Sequence, residues 1–117
     1  MPLIAYNVDL ESQDVGLAKR IAKRIRERDG GLPGIKALGL FLEDRRCAQV
    51  SINVCDYTKT GLLAVFQAVG ALAAEAGVAV RSSEIVGLVP QLALPPQAED
   101  VLKLAGFTPD LVLDRHL

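Results

Sequence analysis

Apolar and polar residues alternate in "LIAYNVDL", residues 3–10. Ile4, Tyr6, Val8 and Leu10 fall on one side, Asn7 and Asp9 on the other. That two-residue period predicts a half-buried strand. The period then lengthens. Leu17, Ala18, Ile21, Ala22 and Ile25 recur at helical spacing, so a helix follows, with Ser12 the expected N-cap and Gly30-Gly31 the stop. Alternation returns over about Ile35 to Leu42 and Cys47 to Cys55, and the charged segment Glu43 to Arg46 between them has the length of a hairpin turn. In the third strand Val50, Ile52 and Val54 point one way, and Gln49, Ser51, Asn53 and Cys55 the other. Leu62, Val65, Phe66, Val69, Leu72, Ala73 and Ala76 then mark a second helix, capped by Thr60 and ended by Gly77. A fourth strand is expected from about Val78 into "SSEIVGLVP", with Pro90 placed where pairing ends. Beyond Pro90 the chain reads as loops and short helix, "QAEDVLKLAG" being the clearest helical piece.

The order strand, helix, strand, strand, helix, strand is the split βαβ pattern of a ferredoxin-like α+β fold. It predicts a four-stranded antiparallel sheet with helices on one face and a helical C-terminal tail. The first and third strands are then central neighbours, and Asn7 and Asp9 share the uncovered face with Gln49, Ser51 and Asn53 if the two registers agree. Such a set of donors and acceptors suits a small polar or heterocyclic ligand. A solvated sheet face has the same pattern, and periodicity alone leaves both readings open.

Length and composition narrow the class. The 117 residues fit one domain, residues 1–117, and half are hydrophobic, which predicts a packed core. Aromatics are 4% with no Trp, so Leu, Val, Ile and Ala must fill that core. Thirteen basic against fourteen acidic residues give a net charge of −1, which makes no case for nucleic acid or an anionic membrane. No apolar run is long enough to span a bilayer, and the N-terminus lacks a signal-peptide pattern. Cys47 and Cys55 on one strand would stand roughly 26 Å apart, beyond disulfide reach; a reduced, cytoplasmic protein is expected.

Two cysteines and one histidine make no zinc site, and no dinucleotide or Walker motif is present. His116 sits one residue from the C-terminus, where a frayed tail explains it better than catalysis does. The basic side of the first helix, Lys19, Arg20, Lys23, Arg24, Arg26 and Arg28, is either a solvated face or a landing strip for a polyanionic ligand. The second helix carries no charge from Gly61 to Ala74, and its back offers Ala64, Gln67, Gly70, Ala71 and Ala74. That back is either ordinary exposed alanine or a surface for a second protein.

Three phrases in register, "IAYNVDL", "IKALGLFLEDRRCAQVSINVCDYTKT" and "SSEIVGLVPQLAL", cover most of residues 3–94, with a looser match in "LKLAGFTPDLVL". Together they make the chain resemble the C-terminal subdomain of the formiminotransferase (glutamate formimidoyltransferase) family. The resemblance implies a ferredoxin-like half of a two-subdomain transferase with a folate groove between the halves. It implies transfer of a formimino group from N-formimino-glutamate to tetrahydrofolate, in one-carbon metabolism and histidine degradation, without a metal. It further implies that Asn7, Asn53 and Glu84, with Asp56 and Arg81, hold folate or formiminoglutamate. The family's catalytic histidine belongs to an N-terminal subdomain that this chain does not match, so no catalytic residue is assigned and that subdomain, on a separate chain, is the expected partner, alongside a homodimer. Gly87 is expected to give close backbone approach, and Glu84 either to pair with a neighbour, Arg81 being nearest in sequence, or to face the ligand. Ser82 stands where the family usually has glycine, a concern if that site needs a positive φ. A stand-alone folate-binding module and a non-catalytic dimerisation or interaction domain are the alternatives.

Overall fold

A computed structural model describes residues 2–117; Met1 lies outside the described residues. The strands are β1 (Ile4–Leu10), β2 (Ile35–Leu42), β3 (Cys47–Val54) and β4 (Val80–Val86), and the helices α1 (Val15–Ile25), α2 (Leu62–Glu75) and the short α3 (Ala98–Val101). Strand order is β2-β3-β1-β4, every pairing antiparallel, so the ferredoxin-like arrangement expected from the pattern is the one observed. Ile4, Tyr6, Val8 and Leu10 of β1 and Val50, Ile52 and Val54 of β3 are fully or almost fully buried under the helices. α1 covers β2 and β3, and α2 lies against β1 and α1. Gly39 of β2 lets α1 come close: a Cβ there would sit 2.3 Å from the Lys19 backbone nitrogen.

Local ends depart from the expected ones. Asp14, not Ser12, caps α1, accepting from the Leu17 amide at 3.1 Å, while Ser12 Oγ accepts from the Asp14 amide. α1 ends at Ile25, and a 3-10 turn, Glu27–Asp29, leads to Gly30 at φ 87°. Thr60 does not cap α2 either; Gly61 holds that position, and the Thr60 hydroxyl donates to the Pro33 carbonyl at 2.7 Å, pinning the loop before β2. At α1 a neighbouring carboxylate takes the cap, and before α2 the Thr60 hydroxyl bonds elsewhere, choices that composition does not encode. Gly77, at φ 73°, does follow α2 in the left-handed conformation that ends helices.

β4 starts at Val80 rather than Val78 and closes at Val86. Its register shifts between Asp9/Ser82 and Leu10/Val80, so Arg81 is the extra residue of a bulge. The tail then covers the outer edge of β4. Ser83 exchanges bonds with Lys103 and Ala105 at 2.9 and 2.8 Å, and Val89 does so with Leu111 and Leu113, both at 2.8 Å. Pairing therefore resumes at Val89, just before Pro90. Gly87 has φ 84°, the left-handed conformation that glycine adopts without strain.

Candidate functional site

The uncovered face of the sheet carries the site, and its register fixes which residues meet. Asn7 lies opposite Ser51 on one side and Glu84 on the other; Asp9 lies opposite Gln49 and Ser82. Strand alternation therefore places Asn7, Asp9, Gln49, Ser51 and Glu84 on one surface. Asp9 is 2% exposed, a carboxylate sunk in the middle of the sheet. Burial of that charge requires partners, and two are in place: Gln49 Nε2 and Arg45 Nη1 each donate to it at 2.8 Å.

Arg45 is the hub. It belongs to the hairpin turn between β2 and β3, where Arg46 adopts φ 51°. Its guanidinium spans both acids: besides Asp9, it contacts Glu84 Oε1 from Nη1 at 3.3 Å and Glu84 Oε2 from Nη2 at 3.2 Å. Asn7 Nδ2 adds a bond to Glu84 Oε1 at 3.2 Å, and Gln49 Nε2 reaches the same oxygen at 3.5 Å. The Asp9 contact first, and Glu84 second, hold the Arg45 pKa well above even its usual range.

The five residues singled out in the sequence are thus divided. Asn7 and Glu84 meet directly. Asn53 sits on the same face, opposite Ala5 and Lys36, and is exposed. It lines a cleft of about 690 Å³ together with Ser51, Lys36 and the 3-10 turn after α1. Asp56 lies just past β3 and closes its own turn: Thr58 donates from its amide at 3.0 Å and from its hydroxyl, and that hydroxyl contact keeps the Asp56 carboxyl below its usual range. Arg81 is not the partner of Glu84. The bulge turns it to Glu11, with which it forms an ion pair, and its Nη1 donates to the Arg45 carbonyl at 3.2 Å. Glu11 raises the Arg81 pKa, and Arg81 in turn steadies the turn that aims Arg45. Ser82 lies next to Asp9 in register and is not among the residues with positive φ, so serine there is unstrained.

Arg45 was the residue missing from the sequence reading. In sequence it was one of several charges in a turn; that it reaches back over two strands depends on the turn's geometry. Asp9 and Gln49 were on the right face but carried no mark of mutual contact. His116 is engaged in the tail, its Nε2 2.7 Å from the Asp110 carbonyl. Cys47 is fully buried, which raises its pKa, and both cysteines are free. Among the described residues no three His, Cys, Asp or Glu side chains cluster as a metal would need, and no helix is long and apolar enough to cross a membrane.

The ferredoxin-like sheet thus has one uncovered face that is polar and internally hydrogen-bonded at its centre. The chain belongs to the formiminotransferase family, whose formiminotransferase domain matches residues 5–103. Relatives extend over nearly all of it. The chain is 43% identical to a glutamate formimidoyltransferase of Thermoplasma acidophilum across 98% of its length and 38% of the relative's. It is 41% identical to a glutamate formimidoyltransferase of Streptococcus pyogenes across its full length and 40% of the relative's. A formimidoyltransferase-cyclodeaminase of Gallus gallus is 39% identical over 86% of this chain and 20% of its own. The chain thus spans about two-fifths of the length of these two glutamate formimidoyltransferases and a fifth of the formimidoyltransferase-cyclodeaminase.

Proposed function

We propose that this chain is the folate-binding half of a glutamate formimidoyltransferase, which moves a formimino group from N-formimino-glutamate to tetrahydrofolate. The observation that carries the reading is the polar array across the centre of the bare sheet in a chain of this family. Asn7 and Asn53 offer amides and Glu84 a carboxylate toward a heterocycle rich in donors and acceptors, with Asp56 and Arg81 bordering the groove from the turn after β3 and from the β4 bulge. Acid–base catalysis comes from a first formiminotransferase subdomain closing over this floor. Leu38 and Val86, 64% and 53% exposed, flank the polar centre on β2 and β4 and supply apolar rims for that contact. The protein works in the cytoplasm, in histidine degradation, as a homodimer.

Calorimetric titration of tetrahydrofolate into the purified chain tests the reading, with Asn53→Ala beside it. Asn53 is exposed, so its loss weakens binding and leaves the fold intact. A folded Asn53→Ala variant with unchanged affinity removes that residue from the site. A folded wild-type chain that takes up no folate, alone or with the first subdomain added, removes the reading itself. The exposed rims also favour a second reading, an interaction domain without catalysis; a stable dimer indifferent to folate in sedimentation would select it.

A further inference from the structure

The cleft at the β2 edge of the open face has a charge that the network around Arg45 does not share. Its floor is Ser51 and Asn53, and its walls carry Arg26, Glu27, Arg28 and Lys36. Three cations therefore face one acid. Asp29, outside the cleft, forms its close ion pair with Arg26 and stands 3.8 Å from Arg28, whose side chain is 78% exposed. Glu27 is tied down as well, accepting from the Gly34 amide at 3.0 Å. Lys36 stands on the open face and makes no ion pair among the described residues. Arg28 and Lys36 are left as loosely held cations above a strip of hydroxyl and amide groups. Cations that a protein leaves without strong internal partners, beside neutral donors in a concavity, suit a carboxylate-bearing ligand.

We infer that this cleft is a carboxylate subsite for a glutamyl group, held by Lys36 and Arg28 and hydrogen-bonded by Asn53 and Ser51. Its choice of ligand rests on the function proposed above. A glutamyl group reaches such a site from either of two sources, the donor amino acid or the tail of the folate. Asn53 links the two parts of the face: it lines the cleft and stands two residues along β3 from the Asn7–Ser51 pair. A ligand whose ring lies on the polar centre would extend its carboxylates toward Lys36.

The test is a nitrogen-15 NMR titration of the whole chain with N-acetyl-L-glutamate, tetrahydrofolate and tail-less tetrahydropterin. Saturable shifts at the Lys36, Asn53 and Arg28 amides are expected with N-acetyl-L-glutamate. Lys36→Met should weaken that binding about threefold to fivefold, the range of an exposed ion pair, and Lys36→Arg should retain it. The exposed Lys36 side chain makes no hydrogen bond or ion pair among the described residues, so both variants should fold. If Lys36→Met also weakens tetrahydrofolate but not tetrahydropterin, the site takes the folate tail; if only N-acetyl-L-glutamate responds, it takes the donor. No shift in the cleft, or equal shifts along Lys23 and Arg24 that Lys36→Met leaves unchanged, overturns the subsite. Tetrahydrofolate binding that ignores Lys36→Met, with N-acetyl-L-glutamate silent, overturns the subsite and leaves the folate reading standing. Saturable N-acetyl-L-glutamate binding without folate binding does the reverse.

Discussion

Replacing Arg45 with methionine tests whether the sheet's polar centre is held by one residue. Arg45 Nη1 contacts Asp9 at 2.8 Å and Glu84 at 3.3 Å, so its removal leaves two carboxylates facing one another across a single missing cation. Asp9 cannot escape to water, since its side chain is 3% exposed. Stranding one partner of a fully buried pair costs about 3–5 kcal/mol. Arg45 is itself 42% exposed, and Asp9 keeps its bond from Gln49, so solvent screening lowers the expected loss to about 2 kcal/mol. With a urea dependence of about 2 kcal/mol/M, the unfolding midpoint falls by roughly 1 M at unchanged slope. The double variant Arg45→Met/Asp9→Asn removes the stranded charge and should recover about half of the loss. Circular dichroism through a urea series reads all four corners of this cycle. An Arg45→Met chain within about 0.5 kcal/mol of wild type, or an Asp9→Asn change that recovers nothing, would refute the account.

Further outcomes follow from single contacts. Gly39→Ala drives a methyl group into the α1 backbone at 2.3–2.6 Å, which a rigid helix cannot yield to; a loss of about 3 kcal/mol or an unfolded product is expected, and a stable variant would mean that α1 can move. The Tyr6 hydroxyl is buried and makes no hydrogen bond among the described residues, while the Ser83 hydroxyl donates to the Leu102 carbonyl. Burial, the larger influence, pushes the Tyr6 pKa far up, and Ser83 opposes it. Tyr6→Phe should therefore leave stability unchanged or raised, by at most about 1 kcal/mol, and a clear loss in thermal unfolding would reveal a missed partner. The Arg26 hydrogen bond keeps the Asp29 carboxyl below its usual range. A depressed folded pKa stabilises above the unfolded value and is lost as pH falls through the folded one, so support for the 3-10 turn persists near pH 4 and disappears in stronger acid. Carbon-13 NMR of the Asp29 carboxyl checks this, and a midpoint at or above about 3.9 would contradict it.

What could be read beforehand was whatever depends on period. Two-residue alternation in residues 3–10 and 47–55 carries the facing of every side chain on the two central strands, because a pleated backbone leaves no choice once one face is buried. It therefore carries the bare polar face with Asn7 and Asn53 upon it, whereas Glu84 joins that face only through the register of β4 on β1. What could not be read depends on angles set by a few residues. Both expected helix caps were displaced because Asp14 and Gly61 took the capping positions, and Thr60 found Pro33 instead. Nearness in sequence makes Arg81 a candidate partner for Glu84, and the bulge at Arg81 is what sends that side chain to Glu11. The signal for the bulge is one residue of register, invisible in a strand whose hydrophobic count is unaffected.

The displaced pairing gives the site its character. Had Arg81 answered Glu84, the β4 edge would neutralise itself, and Arg45 would serve Asp9 alone. Because Arg45 arrives from the β2–β3 turn, one cation ties β1, β4 and that turn together across the open face. The result is a floor whose polar groups are already oriented before any ligand arrives, which lowers the entropy lost on binding. The same economy leaves Asn53, Ser51 and Lys36 outside the network, on the half of the face where hydrogen-bonding capacity remains free. An oriented centre and an unspent flank together favour a ligand with a ring at one end and charge at the other.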